Sequence, residues 1–352
     1  MRDVAVISFA QTEQKRRVED LNEVEMLMPA TQQVLSQVDM TIDDIGFTCS
    51  GSTDYLAGVG FSFVSTLDGV GPWPPIQESH VEMDGAFALY EAWVKLQLGE
   101  IDTALVYSYS KSSPGDLPMV LTRQLDPYTV APLWPDTISL AALQARAMLD
   151  AGVATEADFA AVAARSRSSA LANPNAVLAW DTSPDKLLAE EYLVAPLRKH
   201  DCAPITDGAA AIVLAAGDVA REKVDRPAWI RGIDHRIEPM SLGHRDLTKS
   251  ESTRIAADKA GVAGGTIDVA ELHAPFSHQE LILREALGLT DATAVNPSGG
   301  ALSANAMLVA GLIRIGEVAN RISAGEADRG VAHATSGPCL QQNLVAVLEG
   351  EA

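Results

Sequence analysis

The sequence feature that most constrains the fold is the stretch at residues 78–100, which reads ESHVEMDGAFALYEAWVKLQLGE. Large apolar residues recur in it at helical spacing. They are Phe87, Tyr90, Trp93 and Leu96. Ser79 and Glu82 have the spacing of a capping box, so the pattern predicts a helix that begins near His80. A helix this apolar is expected at the centre of the molecule, with the partial positive charge of its N-terminus close to the chemistry.

The segments around this helix alternate between strand and helix patterns. The predicted strands of the first part are residues 4–9, 43–50, 103–109 and 209–215, with a helix at 24–38. A second unit repeats this order, with strands at 228–234, 266–272, 331–335 and 344–349 and helices at 248–260, 278–287 and after NPSGG. Between the units, proline-rich loops alternate with helices at 137–151 and 156–171. The order predicts a layered α/β fold with an N-terminal half (1–220) that contains a loop domain (about 110–200), and a C-terminal half (226–352).

Composition excludes several classes of function. The formal net charge is −21, which disfavours binding to nucleic acid or to anionic membranes. No run of about 18 apolar residues is present, so no membrane span is expected. The first residues lack the apolar core of a signal peptide, and the three cysteines are typical of reduced thiols in a cytoplasmic protein. The sequence has no zinc-spaced histidine pair and no C-x-x-C, so no metal site is predicted.

An anionic ligand would need a local basic patch on so acidic a chain. The middle third offers Arg123, Arg165, Arg167, Arg198 and Lys199, which either form such a patch or are ordinary surface charges. Arg165 and Arg167 are the candidate ligand-binding residues of this group. Gly299 and Gly300 add a loop whose backbone could approach a phosphate or pantetheine group, although a glycine pair alone is weak evidence.

Four ordered segments carry a family resemblance over nearly the whole chain. They are DCAPITDGAAAIVLA, ELHAPFSHQE, NPSGGALSANAMLVAGL and SGPCLQQN. These resemble segments of the thiolase superfamily, and most of all the thiolase-like lipid-transfer proteins related to the sterol carrier protein thiolases and steroid side-chain aldolases. The resemblance implies the thiolase fold, with two pseudo-repeated halves in α-β-α-β-α layers and an inserted loop domain. It also implies a coenzyme A thioester as substrate, no covalently bound cofactor, and a homo- or hetero-oligomer of thiolase-fold subunits. The interface would use the strand at 103–109 and the GVGPWPP region.

The departures from the family pattern bear on function. Family thiolases carry a nucleophilic cysteine in C-x-x-G at the start of the first long helix. Here Gly85 matches that glycine, which places Glu82 in the cysteine position; a drift of one residue would place Val81 or Met83 there. Asn305 occupies the position of the G-H-P histidine. A carboxylate in the cysteine position cannot hold an acyl group without forming a labile anhydride, so covalent acyl transfer there is not expected.

Five residues are candidates for catalysis, each with a structural alternative. His273 would hold a thioester oxygen or move a proton, and Asn305 would donate to an oxyanion; the alternatives are a structural histidine and a helix N-cap. Cys339 matches the family's acid/base cysteine, or is a buried inert thiol. Glu82 is a carboxylate base or polar contact, or else a capping residue. His80 lies beside the cysteine position, and its structural alternative is capping or a core hydrogen bond.

Three functions remain open at this stage. The first is retro-aldol cleavage of a 3-hydroxyacyl-CoA, for example a steroid side chain, with a separate zinc-ribbon/OB-fold partner protein. The second is a non-catalytic thiolase-like subunit that pairs with an active one. The third is an acyltransferase that uses Cys339.

Overall fold

The computed structural model describes residues 2–71 and 76–350 of the 352-residue chain. Its strands are β1 (Val4–Gln11), β2 (Phe47–Gly51), β3 (Glu78–Val81), β4 (Thr103–Ser110), β5 (Tyr192–Val194), β6 (Leu197–Arg198), β7 (Gly208–Ala216), β8 (Ala228–Ile237), β9 (Val269–Leu272), β10 (Ala294–Val295), β11 (Arg329–Ser336) and β12 (Gln342–Glu349). Its helices are α1 (Glu23–Ser36), α2 (Asp54–Ala57), α3 (Ser62–Val70), α4 (Gly85–Leu98), α5 (Leu117–Arg123), α6 (Thr137–Asp150), α7 (Glu156–Ser169), α8 (Pro184–Leu188), α9 (Gly217–Lys223), α10 (Glu251–Ala260), α11 (Ser277–Ala286), α12 (Gly300–Ser303) and α13 (Ala310–Ser323).

The strand topology repeats. The first half runs β3-β2-β4-β7-β1 and the second runs β10-β9-β11-β12-β8. Each pairing in one half has a counterpart of the same sense in the other: β2–β4 and β9–β11 are parallel, whereas β4–β7 and β11–β12 are antiparallel. The two five-stranded sheets are joined edge to edge into one continuous order of ten strands, where Ala5 and Val6 of β1 pair with Trp229 and Ala228 of β8. The predicted repeat of the two halves is therefore confirmed.

Alternate residues of the strands face different layers, which explains why the strands read as continuous apolar runs. One face of each sheet packs on α4 and α13, which form the central layer. The other face of the first sheet packs on α1, and the other face of the second packs on α10 and α11. The result is the predicted α-β-α-β-α order. The loop domain, which holds α5 to α8 and the β5–β6 hairpin, packs on the second half.

The predicted start of the central helix is wrong. Residues 78–81 are not helical but form the edge strand β3, whose backbone pairs in parallel with β2 from Thr48 to Gly51. The Ser79–Glu82 capping box is therefore absent. Asp84 is the N-cap, and its side chain accepts a hydrogen bond from the Ala86 amide. The apolar run locates the helix but not its first residue, because sheet pairing overrides local capping preference.

The strand predicted at 103–109 is present as β4, and its role in an interface stays a prediction. All eight residues of β4 are buried, and β4 pairs with β2 on one side and β7 on the other, so it has no open edge. The open edge of the first sheet belongs to β3. Residues 72–75, the proline-rich part of the predicted interface, lie outside the described residues. The domain boundary predicted between residues 220 and 226 stays a prediction.

Asp84 is the shared cap of both central helices. One carboxylate oxygen accepts from the amides of Ala86 and Leu312, at 2.8 and 3.0 Å, and the other accepts from the Gly311 amide at 2.8 Å. These donors belong to the first turns of α4 and α13, so two helix N-termini converge on one buried carboxylate. Burial raises the pKa of Asp84 to about 7, and the three amide bonds oppose that rise.

We expect Asp84→Ala to lower the free energy of unfolding by about 3 kcal/mol or more, since three buried amides lose their acceptor. The matched control is Asp136→Ala at the exposed N-cap of α6, where the cost is about 1 kcal/mol. Urea unfolding followed by circular dichroism measures both. Equal losses in the two variants would contradict the shared-cap role.

The close approach of α13 to β1 requires a glycine. A Cβ placed on Gly316 would lie 2.2 Å from a ring carbon of Phe9. We expect Gly316→Ala to destabilise the protein by about 1–3 kcal/mol through overpacking, although alanine is the better helix former. Gly243→Ala is the control, because a Cβ placed on Gly243 would have nothing within 4 Å. A shift of the urea midpoint in Gly243→Ala alone would refute the packing argument.

Candidate functional site

The centre of the candidate site is a buried pair, His273 and Asn305. His273 directly follows strand β9, and Asn305 lies in the irregular segment between α12 and α13. His273 Nε2 and Asn305 Oδ1 are 3.2 Å apart, and the two residues are 4% exposed each. The structure thus brings together two of the five predicted catalytic residues, one from each of two family-like segments.

The hydrogen bonds define what each member of the pair can do. The Thr335 amide donates to His273 Nδ1 at 3.4 Å, so Nδ1 is the acceptor and Nε2–H is the donor to Asn305 Oδ1. The pKa of His273 is lowered to about 3. Burial is the largest cause, and the neighbouring His333 and Arg314 lower the pKa further. The imidazole is therefore neutral and both its nitrogens are occupied. Asn305 Nδ2 makes no hydrogen bond within the described residues. It is therefore the side-chain donor of the pair that is available to a ligand.

Glu82 and His80 lie at the edge of the first sheet, and neither is hydrogen-bonded to this pair. Glu82 Oε2 accepts from the Asp54 amide at 3.3 Å, and burial is the main effect that raises the pKa of Glu82. The exposed His80 ring stacks on Phe63, with ring centroids 3.6 Å apart. Both residues hold the segment that begins at α2 against β3. Their predicted capping role is wrong, because no helix starts there.

Cys339 lies in an apolar cluster, and within the described residues it makes no hydrogen bond to His273. Its thiol donates to the Leu140 carbonyl of the loop domain at 3.4 Å, and it packs with Leu125. Burial raises the pKa of Cys339 to about 11, against the opposing charge of Arg245. Burial likewise raises the pKa of Cys49 and Cys202 to about 12. None of the three thiols therefore has surroundings that favour a thiolate.

A cavity of about 550 Å³ lies between the loop domain and the residues that precede β7, and neither His273 nor Asn305 lines it. Four basic side chains line it, together with the acidic Glu190, His200, Trp180 and several aliphatic residues. The basic residues are Arg16, Arg167, Lys186 and Lys199. The Arg167 guanidinium lies over the Trp180 ring, 5.3 Å from its centroid, and also donates to the Leu302 carbonyl. On a chain of net charge −21, this concentration of positive charge favours an anionic ligand with a planar group.

The structure places two of the five residues of the predicted basic patch in the lining of this cavity, and the role of the patch in binding stays a prediction. Arg167 and Lys199 line the cavity, whereas Arg165 pairs with Glu280 and Arg198 pairs with Glu156. Arg123 is exposed and lies outside the cavity lining. Sequence reasoning missed Arg16 and Lys186, because they come from distant segments that only the fold brings together.

The glycine pair has a structural explanation. Both Gly299 and Gly300 have positive φ, at 92° and 61°. A Cβ on Gly299 would lie 2.6 Å from the Ser303 hydroxyl, and one on Gly300 would lie 2.8 Å from the Asn296 carboxamide carbon. Neither glycine is among the residues that line the basic cavity. Their binding role stays a prediction.

One short segment connects the cavity with the His273–Asn305 pair. Ala203 and Ile205 line the cavity. The Ala203 amide donates to the carbonyl of Pro275, two residues beyond His273, at 2.8 Å, and Thr206 is bonded to Asn305. The segment 203–206 therefore links the lining of the cavity to the backbone next to His273 and to Asn305. No signal in the sequence analysis identified Thr206.

Two kinds of feature are absent from the described part of the chain. Residues 2–71 and 76–350 contain no group of three or more histidine, cysteine or acidic side chains placed to bind a metal ion. In the same residues, no helix has the length and apolar character needed to cross a membrane.

Comparisons with known proteins agree with this architecture. An acetyl-CoA acetyltransferase of Methanothermobacter thermautotrophicus is 26% identical over 302 residues, covering 83% of this chain and 78% of that protein. Sterol carrier protein 2 of Bos taurus is 23% identical over 327 residues, covering 82% of this chain and 60% of the relative. No family model matches the sequence.

Solved structures decide the fold. Human mitochondrial 3-ketoacyl-CoA thiolase superposes with a TM-score of 0.75 at 14% identity, covering 99% of both chains. The chain has the thiolase fold. A thiolase-fold structure described as the Ltp2-ChsH2(DUF35) aldolase superposes with a TM-score of 0.78 at 18% identity, covering 99% of this chain and 97% of that one. The predicted resemblance to thiolase-like lipid-transfer proteins is confirmed.

The low pKa of His273 predicts a pH-dependent stability. The histidine titrates near 6.5 when unfolded and near 3 when folded, so protons favour the unfolded chain. Its stabilising contribution is complete above pH 6.5 and is lost as the pH falls toward 3. We expect His273→Gln to lose less stability than the wild type between about pH 7 and pH 5, in urea unfolding at each pH. His80→Gln, at an exposed histidine, serves as the control and should follow the wild type.

Proposed function

We propose that this thiolase-fold chain binds an acyl-CoA thioester and cleaves a carbon–carbon bond of a 3-hydroxyacyl-CoA by a retro-aldol reaction. A base takes the proton of the 3-hydroxyl group, the C2–C3 bond breaks, and the products are an aldehyde or ketone and a thioester enolate. The enolate then takes up a proton at C2 to give the shortened acyl-CoA. The sequence of steps needs no oxidant, no second thiol and no acyl-enzyme.

The observation that carries the proposal is the free Nδ2–H₂ group of Asn305, fixed by a neutral histidine. Because His273 Nε2–H donates to Asn305 Oδ1, the amide is held with its own donor available. A preorganised neutral donor in a buried site stabilises the developing enolate oxygen. In this assignment His273 orients Asn305 and does not itself transfer protons, since its pKa of about 3 and its two hydrogen bonds prevent that role.

The thiols support a reaction without a covalent intermediate. All three cysteines have raised pKa values. The family resemblance, in addition, implies that Glu82 stands in the sequence position of the nucleophilic cysteine. We assign proton transfer to a carboxylate such as Glu82 or to a group of a partner protein. An acyltransferase that uses Cys339 has less support, because this thiol is buried in an apolar cluster and bonded to Leu140.

The basic cavity is the proposed site for coenzyme A. Arg16, Lys186 and Lys199 would contact phosphate groups, and Trp180 offers a planar surface for the adenine. The segment from Ala203 to Thr206 would then run alongside the pantetheine arm and deliver the thioester to Asn305. Steroid side-chain thioesters are the proposed acyl group, and the cytoplasm is the proposed location.

A partner protein belongs to the proposal. The name of the Ltp2-ChsH2(DUF35) aldolase gives two components, and one chain of that structure matches this chain in fold. We propose a corresponding zinc-ribbon/OB-fold partner, together with association of thiolase-fold subunits through the open edge of β3.

A second candidate function is a non-catalytic subunit of a hetero-oligomeric acyl-CoA complex. The neutral, fully bonded His273 favours it, because no proton-transfer group lies in hydrogen-bond contact with the pair within the described residues. The assay that separates the two is incubation of the purified protein with a 3-hydroxyacyl-CoA, with and without the partner. A carbonyl product plus a shorter CoA ester supports the lyase. Absence of both products in every combination refutes it and favours the subunit.

We expect Asn305→Asp to lower kcat by about 10²–10³-fold with little change in KM, because a carboxylate cannot donate to the enolate oxygen. Asn320→Asp is the matched control. It makes the same chemical change at an exposed position of α13 and should leave kcat unchanged. Full activity of Asn305→Asp would exclude Asn305 as the donor.

A further inference from the structure

The position of Asn305 is set from outside its own segment. Residues 304–309 lie between α12 and α13 and form no helix, so local structure does not hold Asn305 in place. Both of its backbone groups instead bond to Thr206. The Asn305 amide donates to Thr206 Oγ1 at 3.0 Å, and the Thr206 amide donates to the Asn305 carbonyl at 3.2 Å. Within the described residues, no other residue bonds to either group.

The hydroxyl of Thr206 is itself oriented by a third residue. Thr206 Oγ1 donates its hydrogen to Gln14 Oε1 at 2.7 Å. This leaves a lone pair of the hydroxyl directed at the Asn305 amide. Thr206 is fully buried and Gln14 is 6% exposed, so water does not compete for these bonds.

The three residues come from separate parts of the fold. Gln14 follows β1, Thr206 precedes β7, and Asn305 belongs to the second half of the chain. A Cβ on Gly208 would lie 3.1 Å from Gln14 Cγ and 3.8 Å from Ala306 Cβ, so the three segments are in close contact. The Gln14–Thr206 pair therefore fixes the backbone of Asn305, in the second half, relative to the first sheet.

We propose that Thr206, oriented by Gln14, is the positioning residue that holds Asn305 where its Nδ2 meets the enolate oxygen. This inference rests on the proposed lyase function for its catalytic consequence. The hydrogen bonds of His273 fix the rotation of the Asn305 amide, and those of Thr206 fix the location of its backbone. An oxyanion donor acts only if it is held within a fraction of an ångström of its productive place.

The test compares Thr206→Val, which is nearly isosteric but lacks the hydroxyl, with Thr206→Ser, which keeps it. Thr48→Val is the matched control, because the Thr48 hydroxyl is buried and has no hydrogen-bond partner among residues 2–71 and 76–350. We expect Thr206→Val to lower kcat by about 10- to 100-fold with KM changed by less than about 3-fold. Thr206→Ser should retain kcat within about 3-fold, and Thr48→Val should match the wild type.

A second readout does not depend on turnover. Hydrogen exchange of the Asn305 backbone amide, followed by NMR, should accelerate by about 10-fold or more in Thr206→Val and stay unchanged in Thr206→Ser. Unchanged Asn305 exchange in Thr206→Val would overturn the positioning role, whatever the activity. An equal loss of kcat in the valine and serine variants would also overturn it, since packing alone would then explain the effect. If the Asn305 amide of the wild type is protected from exchange but the protein turns over no 3-hydroxyacyl-CoA, the proposed function is refuted. The role of Thr206 in holding the Asn305 backbone would then still stand.

Discussion

The contact between Asp84 and the first turns of α4 and α13 organises the centre of this molecule. Each helix N-terminus leaves amides that need an acceptor, and in the middle of five layers no water is available to supply one. A single carboxylate accepts from both helices, and Gly311 allows the approach, since a Cβ there would lie 2.6 Å from Asp84 Oδ1. The two halves of the fold are therefore joined at the N-terminal ends of their central helices. Any movement of one central helix along its axis would break bonds to the other.

The candidate site is likewise built from residues of both halves of the fold. His273 and Asn305 come from the second half, but Thr206 and Gln14 of the first half hold Asn305 in place. The loop domain adds Arg167, whose guanidinium bonds to the Leu302 carbonyl just before the Asn305 segment. Basic and neutral side chains occupy separate regions. The cavity carries the basic groups, whereas the His273–Asn305 pair consists of a neutral histidine and a neutral amide.

This separation is chemically consistent with enolate chemistry and poorly suited to acyl transfer. A thiolate nucleophile needs a nearby positive charge or an exposed helix N-terminus. Here the helix N-terminus is occupied by Asp84, and burial raises the pKa of all three cysteine thiols. An amide donor needs only a fixed orientation, which a neutral imidazole supplies without adding charge.

Apolar periodicity and motif order are local properties of the chain, so the sequence was sufficient to predict the layered fold, the repeat of its halves and the choice of His273 and Asn305 as site candidates. It misplaced the start of the central helix, since Ser79 and Glu82 satisfy a capping pattern while the backbone of residues 78–81 is used in the sheet. Other features emerged only from the packed fold. Cys339 bonds to Leu140, and Arg165 and Arg198 form ion pairs. Arg16 and Lys186 line the same cavity as Arg167, and Thr206 bonds to Asn305. The bonds of Asn305, Arg165 and Cys339 join residues that are 99, 115 and 199 positions apart. No local pattern encodes such contacts, and burial, which sets the partners and pKa values of these groups, exists only once the layers have packed.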